Sequence, residues 1–139
     1  MRLRVIFIAL TLGIALLPAL ALGAGEKTSL SANLNGKVEV PKGDPDGSGT
    51  ATVTVSGRKV CWDFKLAKVA KPNAAHIHKG KVGVAGPVVV PLSAAYKAKG
   101  CTTTTMANAN ALAAKPGSFY VNVHNPKYAA GAVRGQLKK

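Results

Sequence analysis

An all-β domain, a Greek-key or immunoglobulin-like β-sandwich of about seven or eight short strands with one short helix, is the fold class this sequence predicts. Three observations carry the prediction. Apolar and polar residues alternate with period two in runs such as TATVTV (Thr50–Val55) and VCWDFKL (Val60–Leu66), the signature of strands buried on one face. Glycine, proline, asparagine and aspartate punctuate these runs at short intervals, as turns between strands require. A single segment, 107–114, reads as a helix, with Asn108 as its candidate cap and Pro116–Gly117 as its stop.

Before the strands comes a different kind of segment. Arg2 and Arg4 precede an apolar run, Val5 to Leu17, which ends at Pro18 and the small residues ALALGAG. This is the layout of a secretory signal peptide, so residues 1–24 are expected to be removed by cleavage after position 21–24, leaving one domain over 25–139. The run is short for a membrane span and is closed by a proline, so no span is expected after cleavage. Export predicts a secreted or periplasmic location.

In order, Ser29–Leu34 alternates weakly and predicts the first strand. Gly36–Val40 predicts a second piece ending at Pro41. PKGDPDGSG, 41–49, is a loop by composition; its D-x-D-G fragment lacks the downstream acid of a calcium loop and reads as a turn. Thr50–Val55 then predicts a strand with Ala51, Val53 and Val55 inward. Val60–Leu66 pairs with it as a hairpin, placing Val60, Trp62, Phe64 and Leu66 in the core. Ala74–His78 and Val88–Leu92 are the next strands. Pro91 marks the latter as a strand end or sheet edge, since proline cannot donate to a ladder. Cys101–Thr105, Phe119–His124 and Ala132–Leu137 complete the set.

Cys61 and Cys101 are the two cysteines. In an exported chain an even count predicts one disulfide between them, two free thiols acting as copper ligands being the alternative. The charge is one-sided. Without Arg2 and Arg4 the 19 basic residues become 17 against 5 acidic ones, a net charge of +12. Nearly all are lysines, a diffuse charge that suits anionic cell-surface or extracellular polymers as partners rather than phosphate-reading recognition. Tyr96, Tyr120 and Tyr128 form no lysine-flanked stacking run, so no specific nucleic-acid binding is expected.

Chemistry concentrates in AHIHKGKVGVAGP, 75–87. His76 and His78 flank Ile77, so on a strand both imidazoles project from one face. The third histidine, His124, closes another strand and is also followed by a small-residue loop. We expect the two segments to be equivalent, running parallel so that the imidazoles reach one rim, ringed by Lys79, Lys81 and Lys127. If the three side chains converge to within about 4–5 Å, they suit copper or zinc with a fourth position open. The alternative is that each histidine donates to the backbone of its adjoining glycine loop. No serine sits in a nucleophile elbow, the acids are too scattered for paired general acid and base, and Gly80, Gly83 and Gly86 have no nucleotide-binding spacing.

The stretches NGKVEVPKGDPDGSGTATVTV, VCWDFKL, AAHIHKGKVGVAGPVVVPL and PGSFYVNVHNPKYAAGAVRGQL together resemble a CHRD domain, the chordin-type module of secreted bacterial and animal proteins. The resemblance runs from Leu30 to Leu137. It implies an extracytoplasmic β-sandwich and no settled activity. At Ala132 many members carry an acid before the R-G-Q-L ending, so the resemblance implies that any salt bridge made by that acid is missing here. A more distant likeness is to the copper–zinc superoxide dismutases, whose strand-borne copper ligands resemble H-x-H and V-x-V-H. That likeness implies copper at His76, His78 and His124, but a metal-bridging histidine and a zinc cluster are missing. A non-enzymatic binding or structural module is therefore the expected function, with a three-histidine copper protein as the alternative.

Overall fold

The computed structural model describes residues 26–139; the expected signal peptide lies outside the described residues. Eight strands form in the order β1 (Thr28–Asn35), β2 (Ser48–Ser56), β3 (Lys59–Ala67), β4 (Ala74–Lys79), β5 (Val88–Pro91), β6 (Lys99–Thr103), β7 (Phe119–His124) and β8 (Val133–Gln136). One α-helix, α1 (Met106–Ala114), sits between β6 and β7. The all-β class with one helix is thus correct. The expected division into two sheets is not what forms. All eight strands are hydrogen-bonded side by side in one antiparallel sheet, in the order β5-β4-β7-β8-β1-β2-β3-β6, which curls around a common core in a nearly closed, barrel-like form.

Alternation explains why each strand faces as it does. Ala51, Val53 and Val55 of β2 and Val60, Trp62 and Phe64 of β3 are all buried in the core, while their threonine, lysine and aspartate neighbours point outward. The two strands pair from Ser48↔Ala67 to Ser56↔Lys59, and Gly57, at φ +54°, supplies the left-handed turn between them. Trp62 has its indole N–H satisfied by the Lys97 carbonyl at 2.8 Å, so the ring is buried without an unpaired donor. The same alternation in β7 and β4 sends Phe119, Val121, Val123, Ala75 and Ile77 inward.

Cys61 and Cys101 face each other directly across the β3–β6 ladder and form the expected disulfide. It ties an edge strand to the sheet, and closing a loop of 40 residues contributes about 4 kcal/mol by the chain-entropy argument. Pro91 does lie on the other edge strand, β5. Among the described residues no helix is long and apolar enough to cross a membrane.

Two local expectations fail for clear reasons. Gly36–Val40 is no strand: Gly36–Val38 is a 3-10 turn, because Asn35 Oδ1 caps the Lys37 N–H at 2.7 Å and Gly36 packs against the backbone of Asp44 and Ala132. The helix is capped by Thr105, whose Oγ1 accepts from the Asn108 N–H at 3.1 Å, and not by Asn108. The Asn108 side chain instead donates to the Val89 carbonyl, 3.0 Å away, joining the helix to β5.

A roofed three-histidine cluster as candidate metal site

The site grows from the outward face of three adjacent strands. β4 and β7 pair antiparallel with His76↔Asn122, His78↔Tyr120 and Ala74↔His124, and β8 adds Arg134 opposite Asn122 and Gln136 opposite Tyr120. Period two puts every one of these side chains on the same outer face. The two histidine segments are therefore antiparallel neighbours, which corrects the expected parallel arrangement. The imidazoles still meet, because His76 and His124 are diagonal neighbours across the ladder rather than residues at a shared rim.

Diagonal pairing brings His76 Nδ1 to 3.0 Å from His124 Nε2. His78 lies beside them, its ring centroid 5.7 Å from that of His76 and 6.3 Å from that of His124. One ligand nitrogen from each of the three falls within 4.8 Å of the others. This is close to the convergence a shared ion needs, since three nitrogens at about 2.0–2.1 Å from one centre cannot be further apart than about 4 Å.

The alternative reading, histidines bonded to the backbone of the adjoining loops, holds for His78 and His124 but not for His76, whose Nδ1 faces His124, and it is compatible with a shared ion. His78 Nδ1 lies 2.8 Å from the Gly86 carbonyl and His124 Nδ1 lies 2.9 Å from the Ala129 carbonyl. A carbonyl only accepts, so each Nδ1 carries the proton and donates to the loop that follows its own strand. The Nε2 lone pairs are left facing the cluster. Backbone carbonyls that fix the tautomer and aim the other nitrogen are how metal-binding histidines are oriented. His78 Nε2 is buried with no hydrogen-bond partner, and His124 Nε2 stands 3.0 Å from Asn122 Oδ1 as well as from His76. Lone pairs crowd this point, and a shared proton or a cation satisfies them.

Burial and neighbouring groups favour the neutral forms of His76 and His78. Burial lowers the His76 pKa from its ordinary value, and the neighbouring His124 and His78 lower it further. Burial also lowers that of His78, outweighing the Gly86 carbonyl that favours its protonated form. Neutral imidazole is the form that can ligate a metal.

Loops roof the cluster, and Arg134 holds them. Its guanidinium donates to Glu39 Oε2 at 2.7 Å, to the Val84 carbonyl at 3.0 Å and to the Val40 carbonyl at 3.3 Å. It also lies over the Tyr120 ring, 4.3 Å from the centroid, and His78 stacks on that ring, centroids 4.9 Å apart and planes 9° apart. The Tyr120 hydroxyl accepts from the Gly86 N–H at 3.1 Å, and Gln136 donates to the Gly80 carbonyl at 2.7 Å. A side chain at Gly86 would overlap the Lys79 carbonyl, and one at Gly131 would overlap the Glu39 carboxylate, so both loops close only with glycine there.

Sequence reasoning found the three histidines and both cysteines. It missed Arg134 and Glu39 as parts of the site. Glu39 supplies the ion pair for Arg134 from 95 residues away, while Ala132 is fully buried and its carbonyl accepts from the Asp44 N–H. Burial raises the Glu39 pKa against the pull of Arg134, and Glu39 Oε1 has no partner. An acidic residue inside V-E-V just before a proline was the available signal. Of the expected lysine ring, Lys127 lies over Tyr128 instead.

The CHRD domain family model matches residues 30–137 of the chain. Among curated proteins and among solved structures, nothing matches it.

Proposed function

This chain belongs to the CHRD domain family, and we propose that within it the protein acts by binding rather than catalysis, holding one transition-metal ion at His76, His78 and His124. The observation that carries this reading is the pair of backbone-fixed tautomers. Two Nδ1–H groups are committed to loop carbonyls, leaving Nε2 of His78 buried without a partner beside the other two rings.

Three neutral nitrogen donors with no thiolate or carboxylate suit copper or zinc, and a fourth position is left for water or a small ligand. Asn122 would stand beside the ion and Tyr120 would back the His78 ring. Among the described residues no carboxylate or thiol joins the three imidazoles in the cluster. The reading includes an exported protein, in keeping with the signal-like N-terminus and the disulfide, and anionic partners at the cell surface, in keeping with the lysine-rich charge.

Isothermal titration of the purified protein with Cu(II) and with Zn(II) tests the site. One equivalent is expected, abolished by His76→Ala and by His124→Ala while the unfolding midpoint of the metal-free protein stays within a few degrees. The absence of saturable binding by either ion overturns the metal reading.

A further inference from the structure

Six large hydrophobic side chains are exposed among the described residues, and five of them are valines: Val38 and Val40 after β1, Val82 and Val84 in the loop between β4 and β5, and Val88 at the start of β5. Val82 is the extreme, 77% exposed. The loops are neighbours. Arg134 binds the carbonyls of Val40 and Val84 with the two nitrogens of one guanidinium, and Val38, Val82 and Gly83 line a shared shallow groove with Gln136. Val38, Val40, Val82 and Val84 therefore share one face. It is also a shaped face, because the buried Arg134–Glu39 pair fixes both loops from beneath.

Lysines frame it. Lys37 and Lys42 flank the first loop and Lys79 and Lys81 the second, and all four are exposed. Two acids, Asp44 and Asp46, lie on the far limb of the first loop, where Asp44 Oδ1 accepts from the Asp46 N–H. Apolar tips ringed by ammonium groups match one kind of surface well: an anionic lipid bilayer, which offers acyl chains to the valines and phosphate to the lysines. A soluble anionic polymer gives the valines nothing to bury against. A second copy of the chain would bring two lysine rings together in a molecule already carrying about +12 over the described residues.

We propose that the paired loops 36–42 and 79–88 form a membrane-docking face that takes the surface of an anionic bilayer, with Val82 and Val84 as its inserting residues. This goes beyond the metal-binding reading and does not depend on it. The side chains of Val82 and Val84 can be changed without touching the backbone carbonyl that Arg134 uses.

The test is co-sedimentation of the purified protein with vesicles of phosphatidylcholine alone and of phosphatidylcholine mixed with phosphatidylglycerol. Binding is expected only to the mixed vesicles, weakened by salt. The double variant Val82→Ser/Val84→Ser is expected to lose affinity by about tenfold or more, two apolar side chains being withdrawn from burial, with its unfolding midpoint unchanged. Lys81→Glu is expected to lose less. Vesicle binding that the serine variant retains in full overturns the proposal in favour of diffuse lysine charge. Binding to dextran sulfate without binding to vesicles overturns it in favour of a soluble polyanion. Self-association in sedimentation that the serine variant abolishes overturns it in favour of a dimer face. Metal titration is unaffected in every case, so failure here leaves the three-histidine site standing.

Discussion

The outer face of β4–β7–β8 and the outer face of β2–β3–β6 belong to one sheet around one core, yet they are built on different physics. On the first, His78, Tyr120, Asn122 and Arg134 are buried beneath loops, with His76 and His124 half-buried beside them. On the second, Thr50, Thr52 and Thr54 stand opposite Lys65, Asp63 and Cys61, exposed or half-exposed to solvent. Each face carries one ion pair, and these differ most clearly. Arg134–Glu39, at 2.7 Å, has side chains 5% and 0% exposed; Lys99–Asp63, at 2.8 Å, has side chains 72% and 35% exposed. Nearly equal distances conceal unequal consequences, because solvent screens the second pair and not the first. The open face needs a covalent tie at its edge strand, whereas the roofed face is held by buried polar bonds.

Substitutions can break the contrast in order of size. Glu39→Ala should cost about 3–5 kcal/mol in chemical denaturation, because it strands a guanidinium beneath the loops; a cost below about 1 kcal/mol would show that water replaces the carboxylate. Removing the disulfide as Cys61→Ala/Cys101→Ala should cost about 2–4 kcal/mol, with the loss confined to stability and metal affinity kept. Lys99→Ala should cost under about 1 kcal/mol by the same denaturation measurement.

Acid sharpens the comparison further. His76 and His78 have folded pKa values below the ordinary 6.5, so the unfolded chain binds more protons there. Their contribution to stability is complete above about pH 6.5 and is lost as pH falls from there through the lower folded values. Glu39 works in the opposite sense, since its raised pKa makes protonation relieve the folded state as pH falls toward and through its folded value. Unfolding midpoints of metal-free protein should therefore drop as pH is lowered from 7 through 6, and a His76→Asn/His78→Asn variant should flatten that drop. Equal slopes in the two proteins would assign the acid sensitivity elsewhere.

What the sequence made legible was whatever depends on neighbours along the chain. Alternation placed Val53, Trp62 and Phe64 in the core, the H-x-H spacing put two imidazoles on one face, and proline marked β5 as an edge. What it hid depends on partners far away. That β4 lies beside β7, and antiparallel to it, is decided by the packing of the whole sheet, so the way His124 joins the cluster was misread even though its membership was foreseen. Glu39 lies in a stretch that alternates like a strand; the Asn35 cap and the close approach of Gly36 to Ala132 turn it into a loop and deliver its carboxylate to Arg134. The helix cap moved from Asn108 to Thr105 for a similar reason, because β5 claims the Asn108 amide.

That amide has a consequence for how the molecule behaves among its own kind. A sheet that curls without fully closing ends in two strands with free hydrogen-bonding edges, and such edges can recruit strands from other chains into growing aggregates. Here β5 is only four residues long and ends in Pro91, and its Val89 carbonyl is occupied by Asn108. At the opposite margin the backbone turns from β6 almost at once into the capped helix. Both margins are therefore short, and a short edge offers an incoming strand few backbone groups to pair with.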